Sequence, residues 1–585
     1  MTPSKASILV ALACAACLPV LAGDSELMRA MRDEMDRAVN ELRLGEMERP
    51  FFISYLVREV TDANATAELG SVVSRSEASS RRLTVQVRVG DRNLDSTNFY
   101  GQSRGSSALA RADFPVPLPL GDDYGAIRRQ IWLATDRSYK SALDRIARKR
   151  AALQNETRID EIPDFSDEEP HTYTDEAAAE GVDLDRLAAL VRELSEAFSG
   201  MAHVSASEVR GSATVNRFSY VNSEGSSYVR SAPIASINVR AGTQAEDGTV
   251  LEDSFTEHAL ILDELPKGES VSVRARELAG RLKALRDAPH IDRYTGPVLF
   301  QGQAAAELVR RVLAPRLLAL RMPVAEDARM GRFLEQQTNP FVDRIGARVL
   351  PRFLNIVDDP TIDSIDGSAL LGSYEVDFEG VPASPTDLVQ RGFLKTLLSN
   401  RTPVLGVASS SGNDRGSGPA PSNLIVESRD GLTKSEMLEE LLAMAEEREL
   451  EYAVRVERIG GSLGIVGSRS RRGGPTSRSG DGVQLGAVVA YRVYPDGREE
   501  RIRQAVAVGV TESSFRDIVA ASEERTVHTA PFQFRNRLAS RVILAQGPAL
   551  VSYLVPSLLF EDVTIRRPQG NIPRPPIVSQ PPLSK

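Results

Sequence analysis

Four carboxylates occur in two short segments of this chain, where their type and spacing suit either ligand binding or turn formation. They are Asp358 and Asp359, followed by a proline, and Asp377 and Glu379, followed by a glycine. A carboxylate can accept hydrogen bonds from a bound peptide or from a loop that it orders. Aspartate also bonds its own backbone in turns, where proline and glycine are common. The pattern favours turn formation, and peptide binding is the functional interpretation that stays open.

A second group of candidate residues lies in a loop rich in serine and glycine. Ser411, Gly412 and Asn413 open the run Ser-Gly-Asn-Asp-Arg-Gly-Ser-Gly-Pro, and Asn423 follows a few residues later. Backbone amides in such a loop can pair with an extended peptide, as they do when a peptide adds a strand to a sheet. We therefore predict that these residues contribute to a peptide-binding cleft. Nothing in the loop predicts cleavage of the peptide.

The five histidines form no recognisable metal-binding pattern. No two of them stand at metal-ligand spacing, and His171 is four residues from Asp175 only within an acidic stretch that is predicted to be a loop. No Gly-x-Ser-x-Gly element occurs where a strand meets a helix, although a Ser-His-Asp triad built from distant residues stays open. We predict structural or solvent-exposed roles for all five: His171, His203, His258, His290 and His528.

The elements that must position these residues belong to more than one domain, because 585 residues are too many for a single hydrophobic core. Helical periodicity alternates with the period of two that is typical of strands, including a run of five short strands over 204–255, so we predict an α+β fold. The net charge of −9 and an aromatic content of 5% disfavour nucleic acid as a partner. The predicted segments are a signal peptide at 1–22, domains at 23–118, 119–288 and 292–567, and a disordered proline-rich tail at 568–585.

The N-terminus has the pattern of an export signal. Lys5 precedes an apolar run over 8–21, and Ala22 ends a stretch that suits cleavage. The run is shorter than the roughly 18 residues that span a bilayer, which favours removal over anchoring. Both cysteines, Cys14 and Cys17, lie in this segment, and lipidation at one of them is the lesser alternative. We predict a periplasmic or secreted protein with no transmembrane segment after cleavage.

Several motifs follow one another between residues 294 and 566. They are Gly296-Pro-Val-Leu-Phe-Gln-Gly before a helix over 302–320, Ile356-Val-Asp-Asp-Pro, Asp377-Phe-Glu-Gly-Val-Pro, Leu388-Val-Gln-Arg-Gly-Phe-Leu-Lys, Ser411-Gly-Asn, and Val555-Pro-Ser-Leu-Leu-Phe-Glu-Asp-Val-Thr-Ile. Together they resemble the C-terminal half of the TldD/PmbA family, bacterial proteins that include metallopeptidases. The resemblance implies an α/β N-terminal domain, an α+β middle domain and a larger β-rich C-terminal domain.

The metal motif of that family is missing. Active members carry His-Glu-x-x-x-His on the helix, where histidines five residues apart, slightly wider than the usual pair four apart, reach one zinc ion. The matching residues run from Val309 to Ala314, and Arg310 and Arg311 would place positive charge where the metal binds. A late cysteine of the family is matched by Gln546. The resemblance therefore implies a member without catalytic residues at these positions and without a cofactor, zinc being expected only in metal-bearing relatives.

Members of the family assemble as dimers, and in one heterodimer only one partner carries the motif while unfolded peptide passes through a shared interior. The resemblance thus implies an exported, non-catalytic subunit that binds peptide or presents it to a metal-bearing paralogue in proteolysis. The alternatives are a stand-alone envelope protein that binds a peptide or a partner, and an active peptidase with an unrecognised site. We also expect Asp358 or Glu379 to replace the metal by pairing with Arg310 and Arg311, should the arginines face the cleft.

Overall fold

The structure is a computed structural model, and it describes residues 25–101, 114–154, 162–175, 181–335, 338–460, 478–479, 482–532, 549–568, 574 and 576. Helices and strands are mixed along these ranges, which confirms the α+β prediction. No helix in them is long and apolar enough to cross a membrane. The predicted export signal, Gln546 and most of the predicted proline-rich tail lie outside the described residues.

The N-terminal part is built on one sheet with helices packed against it. Three of its helices are capped by Ser25, Asp123 and Asp183, whose side chains each accept a backbone N–H three residues further on. The elements in chain order are α1 Glu26–Glu41, β1 Pro50–Glu68, β2 Ser71–Val89, β3 Phe99–Tyr100, β4 Val116–Pro117, α2 Tyr124–Leu153, β5 Thr172–Thr174, α3 Leu184–Glu196, β6 Ala206–Asn222, β7 Ser227–Gln244, β8 Val250–Ala259 and α4 Glu269–Asp287.

This sheet has the order β4-β2-β1-β6-β7-β5, and β8 is also paired with β7. β1 and β2 form a long hairpin that turns at Leu69 and Gly70, whose φ values of 47° and 80° match the twist of the strands. β1 also pairs with β6 in antiparallel fashion along residues 54–67. The strands of the predicted domains 23–118 and 119–288 therefore lie in one sheet, and the boundary between those domains stays a prediction.

The predicted run of five short strands over 204–255 is wrong, because the structure has three long ones, β6, β7 and β8. Polar residues interrupt the apolar pattern of these segments, but the backbone continues through them as an unbroken β-strand. Asn216, in the middle of β6, accepts hydrogen bonds of 2.9 and 2.6 Å from the Arg58 guanidinium on β1 and donates one of 3.2 Å to the Ala232 carbonyl on β7. A polar side chain thus bridges three strands within the sheet.

The C-terminal part is richer in strands. Its elements in chain order are β9 Arg293–Phe300, α5 Gln303–Leu308, β10 Val324–Ala325, α6 Ala328–Glu335, β11 Leu354–Asp358, β12 Ser364–Ile365, β13 Ser368–Ala369, β14 Thr386–Gln390, β15 Phe393–Leu394, β16 Asn423–Ser428, α7 Lys434–Glu447, β17 Ala453–Ile459, β18 Arg478–Ser479, β19 Gly482–Val493, β20 Glu499–Val510, β21 Ile518–Pro531 and β22 Leu550–Arg566.

β22 is the central strand of this part. Along its length it pairs with β16, β20, β21 and β9. The order β22-β20-β19-β17-β9, together with the β22–β9 pairing, closes five strands into a ring. The largest apolar core fills this ring and the space between it and α5. Its buried members include Phe300, Leu308 and Phe560. α5 is therefore held against the ring by burial of its apolar side.

A buried arginine joins the two parts. The Arg401 guanidinium, 2% exposed, donates to Glu224 in the β6–β7 turn at 2.6 Å and to the Ser166 carbonyl at 2.9 Å. It also lies 3.9 Å from the centre of the Phe165 ring, and the Arg88 guanidinium lies 3.8 Å from the same ring centre. Guanidinium groups over an aromatic face are stabilised by the ring quadrupole. Arg401 therefore fixes the C-terminal part to the N-terminal sheet.

Candidate functional site

The helix after β9 changes its pitch at the residues that match the metal motif. α5 ends at Leu308, and the following turn Val309–Leu313 is wider, since the N–H of Ala314 donates to a carbonyl five residues back. Pro315 follows; it has no N–H to continue a regular helix. The predicted helix over 302–320 is therefore wrong in its second half. Such wide turns occur frequently at functional sites.

Glu307 on α5 is the centre of a buried charge cluster. Its Oε1 accepts hydrogen bonds from Arg310 Nε at 2.7 Å and from His528 Nε2 at 3.0 Å. Its Oε2 accepts from Arg310 Nη2 at 2.8 Å and from Arg311 Nε. Burial alone would raise the pKa of Glu307, but the bonds from His528 and the arginines outweigh it and hold that pKa well below its usual range. Glu307 is therefore an ionised carboxylate with its lone pairs in use.

This cluster does not fit a metal ion. The positions that match the two histidines hold Val309 and Ala314, which have no donor atoms in their side chains. Two guanidinium groups lie beside them, and both oxygens of Glu307 are already bonded. Among the residues that the structure describes, no group of three or more His, Cys, Asp or Glu side chains could hold a metal. A zinc ion needs three or four such donors in tetrahedral geometry. The donor set around α5 therefore differs from that of a zinc site.

The prediction that Asp358 or Glu379 pairs with the two arginines is wrong. Glu307 stands three and four residues before Arg310 and Arg311, so it lies on the same helix face and reaches both guanidinium groups locally. The signal for this contact was present in the sequence, because Glu307 has the helical spacing of an ion pair to both arginines. His528 is distant along the chain, and nothing in the sequence predicts its contact with Glu307.

A cavity of about 640 Å³ opens beside this cluster, between the N-terminal sheet and the C-terminal part. Glu307, Arg311 and His528 form part of its wall. The other lining residues come from β8, α4, the end of β17 and the end of β21, and they are Ser254, Phe255, Thr256, Glu257, His258, Arg274, Glu277, Arg281, Gln303, Arg458, Ile459, Gly460, Val527, Thr529, Ala530 and Pro531. Both parts of the chain therefore contribute to one cleft.

One wall of the cleft is the outer edge of β8. β8 pairs only with β7 among the described strands, so its other edge is unpaired there. The Ser254 carbonyl on that edge accepts a hydrogen bond from Arg458. Because backbone groups alternate in direction along a strand, the N–H and C=O of Thr256 point to the same outer edge. Thr256 therefore offers a backbone donor and acceptor to the cleft.

A second strand edge faces the cleft from the C-terminal part. Within the described chain, residues 527–531 of β21 pair only with β22. The Phe532 N–H points toward β22 and donates to the carbonyl of Ala549, the residue before that strand. The Pro531 carbonyl points away from β22 and accepts a hydrogen bond of 3.1 Å from Arg310. By the same alternation, the backbone groups of Thr529 point away from β22. The cleft thus lies between two strand edges whose backbone groups at Thr256 and Thr529 have no strand partner among the residues that the structure describes.

His258, at the end of β8, is a neutral member of the cleft wall. Burial lowers its pKa to about 4, with a smaller contribution from nearby His528. Its Nδ1 is buried and makes no hydrogen bond within the described residues. His203 is different, since its Nε2 lies 3.1 Å from the Ala279 carbonyl, away from the cleft wall. Of the five histidines, His258 and His528 are the two that line the cavity.

The sequence-predicted carboxylates lie elsewhere, in a buried hydrogen-bond network beside β11 and β16. Asp358 is fully buried, and it accepts from the Ser422 N–H at 2.8 Å, the Ser422 hydroxyl at 2.7 Å and Asn413 Nδ2 at 2.9 Å. Burial raises the pKa of Asp358 to about 6. These contacts tie the loop that contains Asn413 to the end of β11.

Asp377 and Glu379 order a neighbouring turn. Asp377 accepts backbone N–H groups of Glu379 and Val381, each at 2.9 Å, and that of Asp414 at 3.1 Å. Glu379 accepts the backbone N–H of Arg401 at 2.7 Å, next to the junction of the two parts. Burial, followed by the nearby carboxylates, raises the pKa of Asp377 well above its usual range and that of Glu379 to about 7.

The remaining predicted residues also bond within the protein. Asp359 Oδ1 accepts the Thr361 N–H at 2.9 Å, as in a turn. Ser411 Oγ accepts the Ser399 N–H at 2.8 Å, the Gly412 carbonyl accepts from Tyr374, and Asn423 Oδ1 accepts the Gly372 N–H at 3.1 Å. The structure brings these residues together in one network with Asp358, and none of them lines the cavity beside Glu307. Their assignment to peptide binding stays a prediction.

The buried acids predict a pH dependence of stability. An unfolded carboxyl titrates near pH 4, whereas those of Asp358 and Glu379 titrate at about 6 and 7 in the folded chain. A raised folded pKa gives stability at low pH that is lost as the pH rises through that pKa. We expect the free energy of unfolding to fall between pH 5 and pH 8, by about 1 kcal/mol from Asp358 alone, because the rest of the loss due to Asp358 occurs below pH 5.

Chemical denaturation at a series of pH values measures this slope. Asp358→Asn removes one titrating group and is expected to flatten it. Glu307 does not contribute in this range, because its lowered pKa gives stability that is lost only in strong acid. His258 makes an opposite contribution over part of this range, because its folded pKa lies below the unfolded value near 6.5. A slope that Asp358→Asn leaves unchanged therefore contradicts the prediction.

The fold and the cleft together define a class of α+β proteins. In this class the C-terminal sheet closes into a ring, and the helix after its first strand, here α5 after β9, faces the N-terminal sheet. Residues 293–567 match the family model described as the PmbA/TldA metallopeptidase C-terminal domain. These residues, the C-terminal part of the chain, belong to the TldD/PmbA family.

Solved structures share this fold at low sequence identity. TldE from Thermococcus kodakarensis is 15% identical with a TM-score of 0.58, over 92% of this chain and 100% of that one. A putative modulator of a DNA gyrase from Thermotoga maritima is 14% identical with a TM-score of 0.56, over 88% of this chain and 96% of that one.

Curated relatives match over a short stretch. Metalloprotease MJ0996 from Methanocaldococcus jannaschii is 36% identical over 66 residues, which is 11% of this chain and 14% of the relative. A metalloprotease from Methanothermobacter thermautotrophicus is 41% identical over 58 residues, 10% of this chain and 12% of the relative. The match thus spans only about an eighth of the length of the curated relatives.

Proposed function

We propose that this chain is an exported, metal-free member of the TldD/PmbA family that holds an extended peptide in the cleft between β8 and β21 and does not hydrolyse it. The observation that carries the proposal is the pair of strand edges at Thr256 and Thr529, which flank a cavity of about 640 Å³. Main-chain hydrogen bonds to such an edge bind peptides of many sequences.

The non-catalytic part of the proposal is supported by the residues around Glu307. A zinc peptidase uses its metal to activate water and polarise the peptide carbonyl, with a glutamate as general base. Here Arg310 stands at the position of that glutamate. The carboxylate two residues before the motif, Glu307, is bonded to both arginines and to His528, so it has no lone pair directed at a metal-bound water. The arginines replace the metal as the positive charge beside the carboxylate.

In this proposal the hydrolytic step belongs to a metal-bearing paralogue with which the chain pairs. The support is the retention of family motifs around a helix whose ligand positions have changed. A stand-alone envelope protein that binds peptide is the alternative, and a metal-bearing paralogue encoded beside this chain distinguishes the two. Export is supported by Lys5 and the apolar run over 8–21.

Peptide binding is tested with a fluorescent, neutral peptide of about eight residues and two N-methylated versions, methylated at alternate amides in opposite registers. A peptide that adds a strand uses every second amide, so one register is expected to bind more weakly than the other. Thr256→Pro removes the donor at the β8 edge without removing a backbone bond to β7, and is expected to weaken binding up to about 10-fold. Both this variant and its control below lose the bond that the Thr256 hydroxyl accepts from Asn238 on β7, so the backbone donor is what distinguishes them.

Thr256→Val is the matched control, because it keeps the backbone donor and is expected to bind like the unaltered protein. The peptide is expected to be recovered intact by mass spectrometry, with and without added zinc. Absence of binding, or equal binding of both methylated registers, overturns the proposed binding mode. Cleavage by the isolated chain overturns the non-catalytic part.

A further inference from the structure

Two pairs of arginines at the cleft each share a single carboxylate. Arg310 and Arg311 share Glu307. On the opposite wall, Arg281 and Arg458 share Asp253, at 2.8 and 3.0 Å. In each pair, two full positive charges face one negative charge in a partly buried place. The cleft therefore has positive charge available to a bound anion.

The other acids of the wall do not cancel this charge. Glu257 is paired with its own arginine, Arg274, at 2.6 Å. Glu277 is on the exposed side of α4, where its charge is screened by water. The uncompensated positive charge is therefore concentrated near α5 and the end of β17, in the less exposed region of the cavity.

Arg311 is the arginine best placed to meet a ligand. Its Nε donates to Glu307, and its two terminal nitrogens have no acceptor among the described residues. The side chain is only 13% exposed, so those nitrogens have little access to bulk water. Gly460 lies beside Arg311, since a Cβ added to it would be in van der Waals contact with Nη2, at 3.7 Å. The two nitrogens form a fork whose geometry matches a carboxylate.

We propose that the Arg311 guanidinium binds a carboxylate of the extended peptide held between β8 and β21. This inference rests on the proposed peptide binding and adds the chemistry of the ligand. The backbone edges at Thr256 and Thr529 hold the peptide main chain, and the fork of Arg311 receives its negative group. The carboxylate can come from the peptide's C-terminus or from an aspartate or glutamate side chain.

The test uses the full chain and three peptides of one neutral sequence: a free-acid peptide, its C-terminal amide, and the amide with a central glutamate. The free acid, the glutamate peptide, or both are expected to bind about 10- to 100-fold more tightly than the neutral amide, the range of a charge-assisted hydrogen bond. Tighter binding of the free acid identifies the C-terminal carboxylate, and tighter binding of the glutamate peptide identifies the side chain.

Arg311→Gln is expected to reduce the affinity for the preferred acidic peptide to that of the neutral amide, and Arg311→Lys to restore part of it. The neutral amide is expected to bind both variants as it binds the unaltered protein. Equal binding of all three peptides by the unaltered chain overturns the carboxylate site but leaves peptide binding intact. Absence of binding of any peptide overturns both proposals. If a variant does not fold, the comparison of the three peptides on the unaltered protein still tests the carboxylate site.

Discussion

Replacing Glu307 with alanine is expected to lower the free energy of unfolding by about 3–5 kcal/mol, the usual cost of removing one partner from a buried ion pair. The side chain is 4% exposed and neutralises Arg310, which is 7% exposed, and Arg311. Without it, two guanidinium groups and the His528 imidazole lose their acceptor in a place that water reaches poorly. The desolvation of the arginines is then uncompensated, which is what makes the change so costly.

Denaturant unfolding of Glu307→Ala measures the loss. Glu257→Ala is the matched control, because Glu257 lines the same cavity and pairs with Arg274, but both partners are partly exposed. An exposed pair contributes about 0–1 kcal/mol, so the control is expected to change stability little. Equal, small losses in the two variants contradict a structural role for the cluster and would leave Glu307 free for another purpose.

Arg401→Ala is expected to have an effect of similar size, about 3–5 kcal/mol. The side chain bonds Glu224 and the Ser166 carbonyl, and it stacks on Phe165, so its removal leaves Glu224 with Arg92 alone and opens a void at the junction. Because these contacts join the two parts, we also expect unfolding to separate into two transitions, one for each part.

Calorimetry of Arg401→Ala tests both statements. Arg448→Ala is the control, since Arg448 bridges exposed Glu561 and Asp562 at the surface and is expected to contribute less than about 1 kcal/mol. A single, unshifted transition in Arg401→Ala would show that the two parts are held together by other contacts.

Local patterns predicted the class of fold well, and they failed where distant segments meet. The turn predictions at Asp359 and Asp377 are confirmed, because aspartate bonding to its own backbone depends on neighbours in sequence. Asp358 instead bonds Ser422, 64 residues later in the chain. The long strand β6 was divided because Asn216 breaks its apolar pattern, and only its bonds to β1 and β7 explain that residue. Periodicity records burial and cannot record a polar bridge between strands.

The candidate site shows the same division. The loss of the metal ligands was visible in the sequence at Arg310 and Arg311, and the compensating Glu307 stood at helical spacing from both. The cleft itself was not predictable, because it needs β8 and β21, which are more than 250 residues apart along the chain, to face each other. The positive charge of the cleft was not predictable either, because it depends on ion pairs in which one carboxylate contacts two arginines.

The position of β22 has a consequence for how the chain folds as it is made. The strand pairs with β16, β20, β21 and β9, and β9 begins more than 250 residues earlier. The ring cannot close until residues 550–566 have emerged, so each of the four strands that pair with β22 has an unpaired edge until then. Contacts of such sequence separation slow folding, and unpaired edges invite association with other chains. Nascent chains of this protein are therefore vulnerable to aggregation until synthesis is nearly complete, and stand to gain from a chaperone during that interval.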